Sequence, residues 1–188
     1  MKVTYNSPVT LTFSLICTVL LVVDSQGFSG IRDQFFVVRP TMDLANPLDY
    51  FRLMSHIFGH ANWGHFVGNF TFILLLGPIL EEKYGSVHLM EMILITAVAT
   101  GILNVLFFST GLLGASGIVF MFIILSSFTN FKSGEIPLTF VLVIVIYLSK
   151  EVVSSLEADQ VSQFAHIIGG VIGSAFGFMI KGKGTSQH

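Results

Sequence analysis

Charged residues are scarce in this chain of 188 residues, at 11% of positions, whereas 53% of positions are hydrophobic. Soluble domains carry roughly 25% charged residues, so the composition argues against a soluble protein and indicates a membrane protein. Nine Lys and Arg stand against eleven Asp and Glu, and no basic cluster is present in the sequence. Nucleic acid is therefore not expected as a partner, because its binding needs a concentrated positive charge.

Cysteine is almost absent. The one cysteine, Cys17, excludes an intramolecular disulfide and lies within the first apolar run, where a packing role is expected. The chain also lacks a polar stretch long enough to separate two domains. At this length we expect one domain that covers residues 1–188.

Six apolar segments follow one another and predict an all-α membrane protein, a bundle of six transmembrane helices. They cover residues 9–23, 66–80, 87–108, 116–131, 136–149 and 164–180. Several are shorter than the roughly 20 residues of a typical span, although buried bundle helices can be shorter. The first segment follows Lys2 and could be a secretory signal, but Asp24-Ser25-Gln26-Gly27 is a poor cleavage site.

Six crossings would place both termini on one side of the membrane. The basic residues on that side would be Lys2, Lys83, Lys132, Lys181 and Lys183, against Arg32, Arg39, Arg52 and Lys150 on the other. Basic residues are enriched in cytoplasmic loops, so this small excess favours cytoplasmic termini. We expect a multi-pass protein of the cell (inner) membrane, surrounded by the lipid bilayer.

Ser116 begins the fourth segment, within the sequence Gly114-Ala115-Ser116-Gly117. A serine here can simply cap the helix by accepting a hydrogen bond from a free backbone N–H. Alternatively, the two glycines allow close approach of a substrate backbone, and free N–H groups at a helix start stabilise negative charge. Ser116 is then a candidate nucleophile with an oxyanion site beside it.

His166 lies in the sixth segment, where Gly169, Gly173 and Gly177 form a stripe that permits close helix packing. At about 100° per residue, Gly173 and Gly177 each lie about 20° from His166 around the helix. The histidine is thus on the close-packing face. It can be a hydrogen-bonded packing group, or it is a candidate general base if a serine comes within roughly 3 Å.

A third cluster of polar residues leads into the second segment, with the spacing Ser55-His56-x3-His60-x4-His65-x3-Asn69. His65 and Asn69 are four residues apart and share one helical face, where their donors could bind a developing oxyanion. His56 and His60 have the same spacing, so a metal site is the alternative. Because the cluster contains no HExxH motif, cysteine or carboxylate, we expect no metal and no cofactor.

Other polar residues in the apolar segments have simpler interpretations. Glu81-Glu82-Lys83 is typical of a solvated helix end, and Asn104 is expected to bond a neighbouring helix. Glu91, also in the third segment, can reach the membrane interface, and neither Glu91 nor Asn104 is expected to take part in catalysis.

Taken together, these motifs resemble those of the rhomboid family of intramembrane serine proteases over about residues 51–177. The matching motifs, in chain order, are Phe51-Arg52 with Ser55-His56, then His60, His65 and Asn69, then Gly114-x-Ser116-Gly117, and last Ala165-His166-x-x-Gly169-x-x-x-Gly173. Phe51 stands where the family prefers tryptophan, which leaves the fine geometry of the first loop open.

The resemblance implies Ser116 as nucleophile and His166 as general base, with His65, Asn69 and the backbone N–H of Ser116 holding the oxyanion. It also implies supporting roles for His56, His60, Phe120, Gly114, Gly117, Gly169 and Gly173, and a tie between helix ends at Glu81. Phe120 would pack on His166 in place of the usual tyrosine. The implied reaction is hydrolysis of peptide bonds in or near transmembrane segments of other membrane proteins.

Two other functions remain open. A non-catalytic rhomboid-like protein would bind membrane clients, but that class lacks the nucleophile or the base, and both are present here. A small transporter would predict internal repeats between the two halves of the chain, and the sequence has none.

Overall fold

The computed structural model describes residues 3–27, 29–127 and 160–179, with residues 138, 141, 142, 145 and 146. The side chains of residues 29, 160–166 and 178 are outside this description. The helices with described bounds are α1 (Pro8–Ser25), α2 (Ser29–Phe35), α3 (Pro47–Ser55), α4 (Trp63–Tyr84), α5 (Ser86–Phe107), α6 (Ser116–Ser127) and α7 (Gln160–Met179). The expected all-α class is confirmed. Apart from residues 138, 141, 142, 145 and 146, the expected fifth segment, 136–149, lies outside the described residues.

Three helices, α1, α4 and α5, are long and apolar enough to cross a membrane, with 18, 22 and 22 residues. At 1.5 Å per residue they are about 27 and 33 Å long, close to the thickness of a bilayer's hydrocarbon core. Their outward faces carry exposed apolar side chains, among them Leu15, Val19, Val67, Leu75, Ile79, Val87, Ile95 and Leu106. An apolar surface of this kind suits lipid rather than water.

The short helix α6 lies at the centre of the described bundle, in contact with α4, α5 and α7. Residues 117–122, Ile124 and Leu125 are all buried. A helix that is apolar on every side needs partners all around it, and here three neighbouring helices supply them. Ser116 stands at its first position.

The chain between α1 and α4 contains the helices α2 and α3 and a 3₁₀ turn, His56–Phe58, none of which the sequence analysis predicted. A local signal for α3 is present. The Asn46 side chain accepts a hydrogen bond from the Leu48 N–H at 3.1 Å, and Pro47 follows as the first helical residue. Both features are common helix-start signals.

Arg52 connects these helices from within, with only 1% of its surface exposed. Its Nε and Nη2 donate to the Gln34 carbonyl oxygen at 2.8 and 2.6 Å, and its Nη1 donates to the Asp49 carboxylate. The Asp43 backbone N–H and the Arg52 guanidinium lower the pKa of Asp49. A buried charge is tolerated only when it is paired, so Arg52 fixes α3 to the end of α2.

The structure corrects the expected ends of the second segment. The α4 helix begins at Trp63, because the Asn62 side chain caps it by accepting from the His65 N–H at 2.9 Å. It continues through Glu81 to Tyr84, and Glu81 is buried rather than solvated. Asn104 also differs from expectation, since its Nδ2 donates to the Thr110 carbonyl at 3.0 Å instead of to a neighbouring helix.

Glu81 ties three helix ends together. Its carboxylate accepts hydrogen bonds from the Val9 N–H at 2.9 Å, from the Thr10 N–H at 3.0 Å and from the hydroxyls of Thr10 and Ser86, both at 2.8 Å. The first N–H groups of α1 have no partner within their own helix, and a negative charge complements the positive end of the helix dipole. This is the tie that the family resemblance implied.

Replacing Glu81 by Gln should lower the thermal midpoint of the protein in detergent micelles. The amide keeps one acceptor oxygen but turns an NH₂ group toward donors, and each unsatisfied buried group costs about 1–3 kcal/mol. The exposed neighbour Glu82 offers the control, because Glu82→Gln should leave the midpoint unchanged. Equal midpoints for the two variants would contradict the tie.

Candidate active site

Ser116 is the first residue of α6 and is half-buried, and the loop before it is fixed to the chain that precedes α4. Leu112 and Val38 exchange two backbone hydrogen bonds of 2.9 and 3.0 Å, and the Gly114 N–H donates to the His56 carbonyl at 2.9 Å. These three backbone hydrogen bonds fix the loop that leads into α6. No sequence motif predicts the pairing of Leu112 with Val38.

Gly114 has φ +111°, a conformation that other L residues rarely adopt. A Cβ atom there would also lie 2.5 Å from Cε1 and 2.8 Å from Nε2 of His65. Both the backbone and the available space therefore require glycine. The same distances place the His65 ring directly against the loop that leads to Ser116.

Asn69 lies one turn after His65 on α4 and is 7% exposed. Its Nδ2 is buried and has no hydrogen-bond partner among the described residues. Because an unused buried donor is costly, such a group is expected where a ligand or water supplies the acceptor. The amide lies on the same side of α4 as His65, one helical turn further along.

His56 and His60 are buried, each 2% exposed. The His56 Nε2 donates to the Ala97 carbonyl at 3.1 Å, and burial lowers the pKa of His56 to about 4. Burial and the neighbouring His65 lower the pKa of His60 to about 4 as well. Both rings are therefore neutral at pH 7. His56 fixes the first loop to α5, and the His60 ring stands 5.2 Å from that of His65.

The contacts of the histidine cluster bear on the metal alternative raised by its spacing. No group of three or more His, Cys, Asp or Glu side chains is close enough there to hold a metal ion. The histidines instead contact backbone carbonyls and aromatic rings. One example is His60, which packs against Phe66 and Phe70.

Glycines allow α6 and α7 to pack with their backbones in contact. A Cβ atom at Gly169 would overlap the Gly117 carbonyl oxygen, and one at Gly173 would lie 2.8 Å from the Met121 carbonyl oxygen. Gly169 and Gly173 are four residues apart, as are Gly117 and Met121, so the two helices run parallel. A Cβ atom at Gly170 would overlap the Phe120 ring.

His166 lies in the second turn of α7, and its side chain is outside the described residues. At 100° per residue, its position is about 60° from Gly169, 40° from Gly170 and 20° from Gly173, the three glycines that contact α6. Along the axis, His166 lies about 4.5 Å before Gly169, and Ser116 lies about 1.5 Å before Gly117. The helical positions of Ser116 and His166 are thus at the same end of this helix pair.

The family model for the Rhomboid domain matches residues 47–183, a range that contains the histidine cluster, the start of α6 and the whole of α7. The chain belongs to the rhomboid family. This rhomboid is 21% identical over 174 residues to Rhomboid protease GlpG of Haemophilus influenzae, covering 91% of this chain and 90% of that protein. It is 32% identical over 95 residues to Rhomboid-like protein 11, chloroplastic, of Arabidopsis thaliana, covering 48% and 34% of the two chains.

Membership in the rhomboid family confirms the resemblance drawn from the motifs. Family membership implies a membrane-embedded helical bundle. The helices α1, α4 and α5 are long and apolar enough to cross a membrane. The likeness to a rhomboid protease over nine tenths of both chains supports a role in intramembrane proteolysis.

The glycine contact between α6 and α7 leads to a direct prediction. Gly169→Ala should lower the thermal midpoint of this rhomboid, because overpacking a tight contact typically costs about 1–3 kcal/mol. Gly68→Ala on α4 is the control, since a Cβ atom there meets nothing within 4 Å. Alanine is the better helix former, so the control should keep or raise the midpoint. A similar loss in both variants would contradict the contact.

Proposed function

We propose that this rhomboid is an intramembrane serine endopeptidase that cuts other membrane proteins in or near their transmembrane segments. Ser116 is the nucleophile and His166 is the general base. The observation that carries this proposal is the glycine contact between α6 and α7, which brings the helical positions of the two residues to one end of a parallel helix pair. In this proposal a single domain, residues 1–188, crosses the membrane six times, with α1, α4, α5, α6, segment 136–149 and α7.

The reaction follows the logic of serine hydrolases. His166, neutral before the reaction, takes the proton of the Ser116 hydroxyl as Oγ attacks the peptide carbonyl carbon. It then gives that proton to the leaving amine as the C–N bond breaks. Water attacks the acyl-enzyme next, His166 takes a proton from it, and the proton returns to Ser116 as the new carboxyl end leaves.

The oxyanion is held between the start of α4 and the start of α6. Three donors converge there in the proposal: the Asn69 Nδ2, the His65 ring and the backbone N–H of Ser116. The buried Asn69 Nδ2, which has no partner in the described part of the chain, and the contact of His65 with Gly114 support this arrangement. The first N–H groups of a helix also lack partners within their own helix and favour negative charge.

Phe120 supports the imidazole of His166 in this scheme. Its ring is buried and lies against Gly170, which follows His166 by one helical turn. An aromatic ring at this level of α6 restricts the rotamers open to a side chain on the facing turn of α7. Gly114, Gly117, Gly169 and Gly173 contribute by keeping the backbones of the site close.

The substrates would be membrane proteins, reached from within the bilayer. A transmembrane segment must unwind locally before cleavage, because a helical amide is already hydrogen-bonded and shielded by side chains. The location proposed is the cell (inner) membrane, with both termini cytoplasmic. We propose as the gate for substrate entry the fifth segment, residues 136–149, together with the loop predicted after it at residues 150–162. The last three residues of that loop belong instead to the first turn of α7, and the fifth segment is described only at isolated positions.

Cleavage of a transmembrane reporter substrate by the purified protein in detergent micelles tests the dyad. Ser116→Ala and His166→Ala should each lower turnover by a factor on the order of 10⁴ or more, as in other serine enzymes. Ser127→Ala, at the far end of α6, and His88→Ala, at an exposed site on α5, are matched controls that should cleave normally.

Labelling of the same variants by a fluorophosphonate probe locates the nucleophile, and the label should disappear in Ser116→Ala alone among the serine variants. If both dyad variants cleave as fast as the unmodified protein, the assignment is wrong. An inactive but folded protein that binds a transmembrane client would point to the non-catalytic alternative.

Asn69→Ala tests the oxyanion donor separately. Loss of one such donor typically lowers kcat by a factor of about 10²–10³, because the donor acts mainly on the transition state, and KM should change little. Asn104→Ala provides the contrast, since that buried amide already donates to the Thr110 carbonyl and its loss should lower thermal stability. A normal kcat for Asn69→Ala would contradict the role of Asn69 as an oxyanion donor.

A further inference from the structure

A small cavity lies between the end of α1, the helix α2 and the turn before α4. Its volume is about 10 Å³, close to the space that one buried water molecule occupies. Its walls include the apolar side chains of Leu21, Phe36 and Phe58 and three ionisable groups, Asp24, Arg32 and His60. A site of this size with several polar groups on its wall is suited to a water molecule rather than to an apolar ligand.

Two of these lining residues each have a buried polar atom that lacks a partner among the described residues. The Asp24 Oδ1 and the His60 Nε2 are both buried, and neither has a hydrogen bond to any other described residue. The other carboxylate oxygen of Asp24 is engaged, because the Arg32 Nη1 lies 3.3 Å from Oδ2. The Arg32 Nη1 also donates to the Ala61 carbonyl at 3.4 Å, next to His60 in the chain.

The chemistry of the two atoms defines what can join them. The His60 Nδ1 lies 3.3 Å from the Phe58 carbonyl oxygen, which can only accept, so we assign the ring proton to Nδ1. Nε2 then presents a lone pair, and a carboxylate oxygen also only accepts. Two acceptors cannot bond each other, whereas one molecule with two donors satisfies both, and water is the smallest such molecule.

We propose that one water molecule in this cavity donates one O–H to the Asp24 Oδ1 and the other to the His60 Nε2, and that Asp24 is thereby a positioning residue for the oxyanion side of the site. The catalytic part of this inference rests on the proposed function. The water site itself rests only on the cavity and its two acceptors.

A connected set of contacts leads from this water toward Ser116. The His60 ring lies 5.2 Å from the ring of His65, and Phe66 and Phe70 pack against it at 5.5 and 5.4 Å. The aromatic rings fix the plane of His60, and the water fixes which edge of the ring faces α1. His65 in turn lies against Gly114, two residues before the nucleophile.

The water site is tested by NMR of the full chain in detergent micelles, with ¹⁵N-labelled histidine and His60→Gln to assign the signals. In the unmodified protein the His60 Nε2 should have the ¹⁵N shift of an unprotonated, hydrogen-bonded nitrogen, and a His60 ring proton should show an NOE to water. Asp24→Leu removes the second acceptor and should change the Nε2 shift. Asp24→Asn keeps an acceptor oxygen and should largely preserve it.

Asp33→Leu is the matched control. Asp33 also binds Arg32, with Oδ1 2.9 Å from Nε, but it is exposed and does not line the cavity. It should leave the His60 shift unchanged. If the ¹⁵N shift of the His60 Nε2 is the same in Asp24→Leu as in the unmodified protein, the proposed water between Asp24 and His60 is contradicted. Should Asp24→Leu not fold, the absence of the water NOE in the unmodified protein overturns it instead.

Cleavage kinetics test the positioning role. Asp24→Leu should lower kcat about tenfold with little change in KM, since a small misplacement of catalytic donors acts on the transition state. Asp24→Asn should recover most of the turnover, and Asp33→Leu should lose none. A change confined to KM would overturn the role. If the unmodified protein cleaves nothing, the proposed function fails, and the NMR result still decides the water site.

Discussion

Contact between the backbones of α6 and α7 is the constraint on which the rest of the site depends. With the Gly117 carbonyl oxygen lying against the Cα of Gly169, neither helix can rotate or slide without overlap of backbone atoms. The direction of every position on α7 is therefore set by the register of α6. Because α6 is itself enclosed by α4, α5 and α7, its own position is fixed by all three helices.

The long helices could be predicted from the sequence because hydropathy is a local property. The expected segments 9–23 and 87–108 lie within two residues of the ends of α1 and α5. The end of α4 was wrong because its charged residue, Glu81, is stabilised by the start of α1, some 70 positions earlier in the chain. A charged residue in an apolar helix therefore does not mark the helix end when a distant partner binds it.

The position of Ser116 at a helix start was predictable for the same reason, since glycine and serine are local signals. The burial of Arg52 was not predictable, because the carbonyl that binds it belongs to Gln34 on a different part of the chain. Nor does the sequence show that the Asn69 Nδ2 has no partner among the described residues or that Asn104 bonds a nearby loop. Motif spacing identifies the residue types of a site, whereas their unused donors are properties of the packed structure.

The helix α1 is held at both ends. Glu81 binds its first turn, and the ion pair of Asp24 with Arg32 holds its last turn near His60. A helix fixed in this way keeps its orientation relative to α2, α4 and α5. With 18 residues, about 27 Å, it is slightly shorter than a hydrocarbon core of about 30 Å, so any mismatch has to be absorbed outside the helix, by the lipids or by its flanking residues.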